Sequence, residues 1–167
     1  MTAIFPGSFD PVTLGHLDLI LRSARMFDTL IVAVLINPAK SPVFSAEERI
    51  SMLRTELEVN LKIPEVQVET FSGLLAEFAK DREAQYILRG VRSSADATYE
   101  IPMAQANMEL LDGLETVILV ADPVYSYVSA SLIREIAGAG YKSNFDDSVL
   151  NQWVTPDVKE MLKRKYL

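Results

Sequence analysis

Short apolar segments alternate along the chain with longer segments in which apolar residues recur every three or four positions. The first kind of segment predicts buried β-strands, and the second predicts amphipathic helices. In chain order, the predicted strands are Thr2–Phe5, Leu30–Leu35, Val66–Glu69, Tyr86–Leu88 and Thr116–Val120. Strands that alternate with helices form a parallel sheet with right-handed crossovers. We therefore expect an α/β protein with a Rossmann-like, doubly wound, five-stranded parallel sheet of strand order 3-2-1-4-5.

Helices are predicted in the intervals between the strands, and serine residues mark the start of three of them. Ser45-Ala46-Glu47-Glu48 has the pattern of a capping box, and Ser72 and Ser129 each precede a segment with helical spacing. Between the fourth and fifth strands, a helix is predicted that places four apolar residues on one face: Ile101, Ala104, Met108 and Leu111. Met103 and Met108 are expected to be core or interface residues.

The C-terminal segment is predicted to be a helical tail on a single domain. A chain of 167 residues fits one domain with a substantial core. We assign residues 1–137 to the α/β core and residues 138–167 to the tail, with α-helices at Asp146–Leu150 and Asp157–Tyr166. Gly138–Ser143 is rich in glycine and predicts a hinge or an exposed turn.

The composition narrows the possible partners. The net charge of −7 argues against broad nucleic-acid binding, which needs a basic surface, but it leaves room for a local basic pocket. The absence of cysteine excludes disulfides and thiolate metal sites. No apolar run approaches the ~20 residues that span a membrane, and no signal-peptide pattern is present. We expect a cytoplasmic protein without nucleic-acid or membrane partners.

The segment Gly7–His16 joins the first strand to the first helix and contains the only histidine of the chain. A glycine-containing turn that leads into a helix N-terminus favours phosphate binding. Patterns typical of dinucleotide-binding dehydrogenases, P-loop kinases and serine hydrolases are missing. One histidine without cysteine makes a zinc site uncommon. In the expected strand order, Ser8–His16 and Arg89–Arg92 face each other across the crevice where ligands bind.

Thr13-Leu14-Gly15-His16 resembles the (T/H)-x-G-H motif of nucleotidyltransferases. Six blocks resemble the phosphopantetheine adenylyltransferase family in order and spacing over nearly the whole chain: Pro6–His16, Asn37–Phe44, Phe71–Leu75, Ile87–Arg92, Asp96–Glu100 and Tyr125–Ser131. The resemblance implies transfer of AMP from ATP to 4'-phosphopantetheine, which gives dephospho-coenzyme A and pyrophosphate. It also implies the cofactor Mg²⁺, a homohexamer and feedback inhibition by coenzyme A.

Two alternatives remain open at this point. The first is another nucleotidyltransferase of the superfamily, with nicotinamide mononucleotide, nicotinate mononucleotide or glycerol 3-phosphate as the acceptor. The second is a nucleotide-binding regulator without catalysis. The combination of His16, Lys40 and Arg89 speaks against the second alternative.

The resemblance assigns roles residue by residue. His16, Lys40 and Arg89 are the expected catalytic residues, with His16 stabilising charge on the α-phosphate in either protonation state. The acceptor is expected to contact Ser8, Lys40, Leu75 and Arg89. Asp10 is expected to fix the turn, and no metal-binding residue is assigned. Ala130 replaces the middle serine of the family's usual three. ATP is expected to contact Ser8, Phe9, His16, Gly90, Val91, Arg92, Glu100, Tyr125, Ser126, Tyr127, Val128, Ser129, Ala130 and Ser131.

Overall fold

A computed structural model describes residues 1–39, 41–143 and 145–167, and its centre is a sheet of five parallel strands. The strand order β3-β2-β1-β4-β5 confirms the predicted doubly wound, Rossmann-like topology. Ile4 at the centre of the sheet pairs with Ile31 on one side and Ile87 on the other. The strands are β1 (Thr2–Gly7), β2 (Thr29–Leu35), β3 (Gln67–Phe71), β4 (Tyr86–Val91) and β5 (Glu115–Val120).

Within the residues that the structure describes, six α-helices cover the two faces of the sheet. A π-helical turn, Glu56–Asn60, continues the second helix, and 3₁₀ turns occur at Pro123–Tyr125, Tyr141–Ser143 and Asp147–Gln152. No helix in the described ranges is long and apolar enough to cross a membrane. The helices are α1 (Leu14–Ala24), α2 (Ala46–Thr55), α3 (Leu75–Asp81), α4 (Ser94–Leu110), α5 (Ala130–Gly140) and α6 (Pro156–Tyr166).

Successive residues of β1 point to opposite faces of the sheet and join two separate cores. Ala3 and Phe5 belong to the larger core, into which α1, α2, α5 and α6 pack. Ile4 belongs to the smaller core, which contains buried residues of α3. The tail packs against the larger core through Leu150 and Leu162, both fully buried. The tail therefore lies on the same face of the sheet as α1.

Three strands extend further at their carboxyl ends than the sequence pattern indicates: β1 to Gly7, β3 to Phe71 and β4 to Val91. The prediction that Arg89 directly follows the fourth strand is wrong, because Arg89–Val91 pairs with β5 and belongs to β4. Gly90 packs closely against α1, since a Cβ at this position would lie 2.3 Å from Cδ1 of Leu19, so any side chain here would displace the end of that leucine. The longer strand gives Arg89 a fixed backbone at the edge of the crevice.

Three local predictions differ from the structure for identifiable reasons. Ser72 does not cap α3, because Gly73 takes a left-handed conformation (φ +80°) and the helix begins after Leu74. The first part of the tail is a 3₁₀ turn rather than an α-helix. Gly138–Ser143 is an exposed turn only in its second half. Gly138 and Gly140 belong to the last turn of α5, whereas Tyr141–Ser143 is a 3₁₀ turn in which Lys142 and Ser143 are exposed.

Helix α4 presents an apolar surface to solvent and polar groups to the interior. Ile101 and Met108 are 49% and 46% exposed, so they are not core residues of the single chain. The buried residues of this helix are Glu100 and Asn107, seven positions apart and therefore on one face. A polar pair on the buried face of a helix points to a site.

Candidate active site

The first turn of α1 is built by a capping box in which histidine takes the place of the usual acidic residue. The Thr13 hydroxyl accepts a hydrogen bond from the His16 backbone N–H at 3.2 Å. In return, the Thr13 backbone N–H donates to Nδ1 of His16 at 3.1 Å. Gly15 leaves room for Tyr125, whose Cβ would lie 3.3 Å from a Cβ on this glycine. The motif thus fixes the imidazole before any ligand binds.

This hydrogen bond also fixes the tautomer of His16. A backbone N–H can only donate, so Nδ1 carries no proton and Nε2 carries it. Burial, and secondarily the positive charge of Arg92, lowers the pKa of His16 from 6.5 to about 4. At neutral pH the site therefore holds an uncharged imidazole with an Nε2–H donor.

Phe9 shapes the turn between β1 and α1. Its backbone has a positive φ of 47°, and its buried ring packs edge-on against the His16 ring with centroids 5.1 Å apart. A Cβ on Gly7 would lie 2.9 Å from the Phe9 ring, so glycine at this position admits the ring. The side chain of Phe9 thus serves packing, and only its backbone is free to face a ligand.

Asp10 ties the turn after β1 to the segment after β2. Its carboxylate accepts hydrogen bonds from the backbone N–H groups of Val43 and Phe44 at 3.0 and 2.8 Å. Arg134 of α5 donates to the Asp10 carbonyl oxygen. The structural role expected for Asp10 is present, but its partners lie far away in sequence. Lys40 lies outside the described residues.

Arg49 of α2 also holds the turn after β1 in place. Its side chain is buried, and one guanidinium nitrogen donates to the carbonyl oxygens of Ser8 and Leu35 at 2.8 and 3.0 Å. These carbonyls stand just beyond the end of β1 and at the end of β2. Arg49 therefore sets the position of the Ser8 backbone relative to the second strand.

Arg89 and Glu100 form a bidentate ion pair between β4 and α4. The Arg89 Nε donates to one Glu100 carboxylate oxygen at 2.6 Å, and a terminal nitrogen donates to the other. Another guanidinium nitrogen donates to the Pro6 carbonyl oxygen at 3.1 Å. Arg89 is 28% exposed and Glu100 11%, so the pair is held in place and still reaches solvent.

Arg92 links the end of β4 to the segment before α5. It forms an ion pair with Asp96, and one guanidinium nitrogen donates to the Val128 carbonyl oxygen at 2.9 Å. The hydrogen bonds of Arg92 lower the pKa of Asp96, which keeps its carboxylate ionised. Next along the chain, the Ser129 hydroxyl accepts from the Leu132 N–H at 3.1 Å and caps α5, as predicted.

Three cavities meet at the carboxyl end of β1. The first, of about 270 Å³, lies between the first turn of α1, the end of β4 and the start of α5. The second, of about 470 Å³, lies between the segment after β2 and α5. The third, of about 460 Å³, lies between the segment after β3 and α4. Ser8 lines all three, and Arg89 lines the first and the third.

Most of the residues predicted to bind ATP line the first cavity. Val91 is buried in β4, and Ser126 and Tyr127 are exposed beside this cavity's Tyr125 without lining it. The first cavity is lined by Ser8, Phe9, His16, Gly90, Arg92, Tyr125, Val128, Ser129 and Ala130.

The other predicted site residues line the neighbouring cavities. Ser131 lines the second cavity. Leu75 and Glu100 line the third, together with Ser8 and Arg89. Glu100, expected on the ATP side, thus lies on the side of the residues expected to bind the acceptor.

Three further residues of the site escaped the sequence reasoning. Arg49 and Arg134 line the second cavity, and Asn107 lines the third. A signal was available for Arg49, because a polar residue on the apolar face of a helix is unusual, and Arg49 precedes the buried Leu53 by four positions. No such signal marks Asn107, because α4 turns its polar residues Glu100 and Asn107 inward.

Metal ions are usually held in proteins by clusters of histidine, cysteine or carboxylate side chains. The described residues contain no group of three histidine, cysteine or carboxylate side chains that could hold one. The carboxylate of Asp10, which lines the second cavity, already accepts two backbone hydrogen bonds. Mg²⁺ commonly binds through one or two carboxylates together with substrate phosphates. The side chains described here do not form such a site by themselves.

Comparison with known proteins assigns the family. The model of the cytidylyltransferase-like family matches residues 4–136. Over 98% of this chain and 96% of its own length, a phosphopantetheine adenylyltransferase of Caldanaerobacter subterraneus subsp. tengcongensis is 48% identical. The chain belongs to the phosphopantetheine adenylyltransferase family. A family member from Gloeothece citriformis is also 48% identical, over 84% of this chain and 87% of its own.

A solved structure supports the fold of the family independently. A Plasmodium falciparum nicotinic acid mononucleotide adenylyltransferase, complexed with NaAD, superposes with a TM-score of 0.70. The match covers 99% of this chain and 95% of the other at 14% sequence identity. At this identity the likeness shows the fold alone. The doubly wound sheet is therefore shared with nucleotidyltransferases whose sequences differ widely from this family.

Proposed function

We propose that this chain transfers AMP reversibly from ATP to 4'-phosphopantetheine, forming dephospho-coenzyme A and pyrophosphate. The observation that carries the proposal is the meeting of three cavities at Ser8, one of which contains the fixed imidazole of His16. An adenylyl transfer needs three adjoining spaces, for the nucleotide, for the leaving pyrophosphate and for the acceptor. The strong identity to named relatives over almost the whole chain supports the choice of acceptor.

ATP is assigned to the first cavity, with its terminal phosphates directed to the second. The N-terminus of α5 adjoins both cavities through Ala130, and its unpaired N–H groups favour anions. The guanidinium groups of Arg49 and Arg134 line the second cavity and add positive charge. The loss of the middle serine hydroxyl at Ala130 leaves these backbone donors in place.

The reaction is an in-line displacement at the α-phosphorus of ATP. A phosphate oxygen of the acceptor attacks, the bond to the β-phosphate oxygen breaks, and its electron pair leaves with pyrophosphate. The acceptor phosphate is already anionic near neutral pH, so the protein mainly aligns two anions and stabilises the charge that builds up. His16 does this through its Nε2–H donor, without titrating.

The acceptor is assigned to the third cavity. Arg89 lies at its junction with the first cavity and receives the acceptor phosphate, with Lys40 assigned to the same phosphate. Leu75 and Met103 contribute apolar surface for the pantetheine arm, and Asn107 contributes a buried amide. Amides of the arm would satisfy this side chain.

Further properties of the family are proposed for this chain. Coenzyme A contains the same pantetheine arm and is proposed to inhibit by occupying the third cavity. Mg²⁺ is proposed to enter with the phosphates of ATP as their counter-ion, and the protein is proposed to be cytoplasmic. The exposed apolar side chains of α4 and β5 support assembly into a homohexamer, because large apolar patches mark protein interfaces: Tyr99, Ile101, Met108, Leu110 and Val120.

Pyrophosphate release tests the proposal. The protein is mixed with Mg²⁺, ATP and one acceptor at a time: 4'-phosphopantetheine, nicotinate mononucleotide or nicotinamide mononucleotide. CTP with glycerol 3-phosphate forms a fourth reaction. We expect pyrophosphate with 4'-phosphopantetheine, and its absence with folded protein would overturn the proposal. Light scattering measures the assembly separately.

The two assigned cations have a matched control. Lys40→Ala and Arg89→Ala should raise the KM for 4'-phosphopantetheine more than the KM for ATP. Arg82→Ala removes a cation that pairs with Glu69 and lines none of the three cavities, so it should change neither. Equal damage to both KM values in the first two variants would contradict the assigned roles.

A further inference from the structure

The tail of the chain reaches the first turn of α1 through the backbone of Trp153. The Trp153 carbonyl oxygen accepts a hydrogen bond from the Leu14 N–H at 2.8 Å. Leu14 is the first residue of α1, and its N–H has no partner within the helix. His16 follows two residues later, in the same turn. Trp153 thereby restrains the helix end that carries the imidazole.

The side chain of Trp153 reaches the opposite wall of the first cavity. The indole is buried, and its Nε1–H donates to the Tyr127 hydroxyl at 3.3 Å. The two rings pack edge-on with centroids 6.3 Å apart. Tyr127 is 56% exposed, so little other packing holds its ring. Its neighbours Tyr125 and Val128 line the cavity.

We propose that Trp153 is a positioning residue that sets the separation of the two walls between which ATP binds. One wall is the first turn of α1, and the other is the segment 125–128. The inference rests on the proposed function, since it assumes that the nucleotide occupies the first cavity. It also gives the tail a part in nucleotide binding, although the tail contributes no residue to the cavity lining.

The expected effect follows from the size of one neutral hydrogen bond. Such a bond contributes about 0.5–1.5 kcal/mol, which corresponds to a factor of about two to ten in an equilibrium constant. Removing the Tyr127 hydroxyl leaves the core packing of the indole in place. The loss should therefore fall on ATP binding, while the acceptor, which is assigned to the third cavity, should bind as before.

Two conservative substitutions remove the two partners separately. Tyr127→Phe removes the hydroxyl that accepts the hydrogen bond from the indole. Because Tyr127 is exposed, this change should leave the fold unaffected. Trp153→Phe removes the indole N–H that donates the bond. Tyr86→Phe is the matched control, because Tyr86 packs against Phe27 at the first residue of β4, at the other end of the sheet. Three quantities are measured for each single variant and for the double variant: the KM for ATP, the KM for 4'-phosphopantetheine and the melting temperature.

We expect Tyr127→Phe and Trp153→Phe each to raise the KM for ATP about two- to tenfold. The double variant should be no worse than the more impaired single variant, because both changes remove the same hydrogen bond. KM for the acceptor should stay within about twofold of the wild-type value, as in Tyr86→Phe. An unchanged KM for ATP, fully additive effects, or an equal rise for the acceptor would each overturn the proposal.

A spectroscopic readout is independent of turnover. Trp153 is the only tryptophan of the chain, so indole emission reports this contact alone. Saturating ATP should change the emission of the wild-type protein, and the change should be smaller in Tyr127→Phe. Emission that does not respond to ATP in catalytically active protein would overturn the inference and leave the proposed function standing. Absence of activity in the wild-type protein would instead refute the proposed function.

Discussion

The protonation of His16 provides a sharp test, because the chain has only one histidine. Lowering the pH is the perturbation. Burial, with a smaller contribution from the charge of Arg92, lowers the pKa of His16 from 6.5 to about 4. The Thr13 N–H, which donates to Nδ1, also requires that nitrogen to be unprotonated. The imidazole should therefore stay neutral at every pH where the enzyme works.

The shift has a consequence for stability with a definite sign. Below pH 6.5 the unfolded chain binds a proton on His16 that the folded protein refuses until about pH 4. Stability contributed by the neutral imidazole is therefore fully present above pH 6.5 and is lost as the pH falls towards 4. A shift of this size corresponds to at most about 3 kcal/mol, and partial exposure of the side chain reduces it.

The assay is a proton NMR titration of the His16 ring resonance in the folded protein. We expect a midpoint near 4 or no titration before acid unfolding. In Arg92→Gln the midpoint should rise but stay below 6.5, because burial is the larger cause. A wild-type midpoint near 6.5 would refute the shift caused by burial, and it would leave His16 partly protonated near neutral pH, contrary to the uncharged donor in the mechanism.

Two further predictions concern ion pairs and caps, and both are measured by urea unfolding. Glu100→Gln leaves the Arg89 guanidinium without its ionic partner and should lower the free energy of unfolding by about 1–3 kcal/mol. Glu69→Gln, on a more exposed ion pair, should lower it by less than about 1 kcal/mol, and an equal loss in both variants would contradict the account. Thr155→Val removes the cap of α6 and the hydroxyl that donates to the buried Glu56, and should cost about 2 kcal/mol. A loss below about 0.5 kcal/mol would show that this cap matters little.

The sheet was predictable because its inner strands β1 and β2 are buried and therefore almost continuously apolar. The ends of the strands were less predictable. The pattern of β4 stops at Leu88, where the polar Arg89 begins, yet the backbone continues to pair with β5. Backbone pairing does not depend on the polarity of the side chain. A polar functional residue at the end of a strand is therefore assigned to a loop when the hydrophobic pattern alone defines the strand.

The site was predictable where its chemistry is local in sequence. Thr13 and His16 form a cap three residues apart, and Ser129 caps its own helix. The long-range contacts were not accessible in this way. Arg49 donates to the carbonyl oxygen of Ser8, which lies 41 residues earlier in the sequence. The local pattern of α2 does not indicate that Arg49 has this hydrogen-bond partner. Glu100 was recognised, but its pairing with a strand residue became visible only in the fold.

The tail shows the same limit. Its apolar residues indicate that it packs somewhere, but sequence spacing does not show where. In the sequence, Trp153 is notable only because it is the single tryptophan. Its proposed positioning role follows from its contacts with Leu14 and Tyr127. A single sequence therefore reveals local motifs more readily than it reveals the long-range contacts that hold those motifs in position.

Turnover of two His16 variants tests the central claim most directly. His16→Ala removes both the Nε2–H donor and the cap, whereas His16→Gln retains a side chain that can complete the capping box. With ATP and 4'-phosphopantetheine, His16→Ala should lose at least ~100-fold in kcat, as expected for one oriented transition-state donor. His16→Gln should lose less, because its amide N–H can still donate. The Kd for ATP should change much less. Turnover within about tenfold of wild type in folded His16→Ala would contradict the account, because the imidazole would then be dispensable for the reaction.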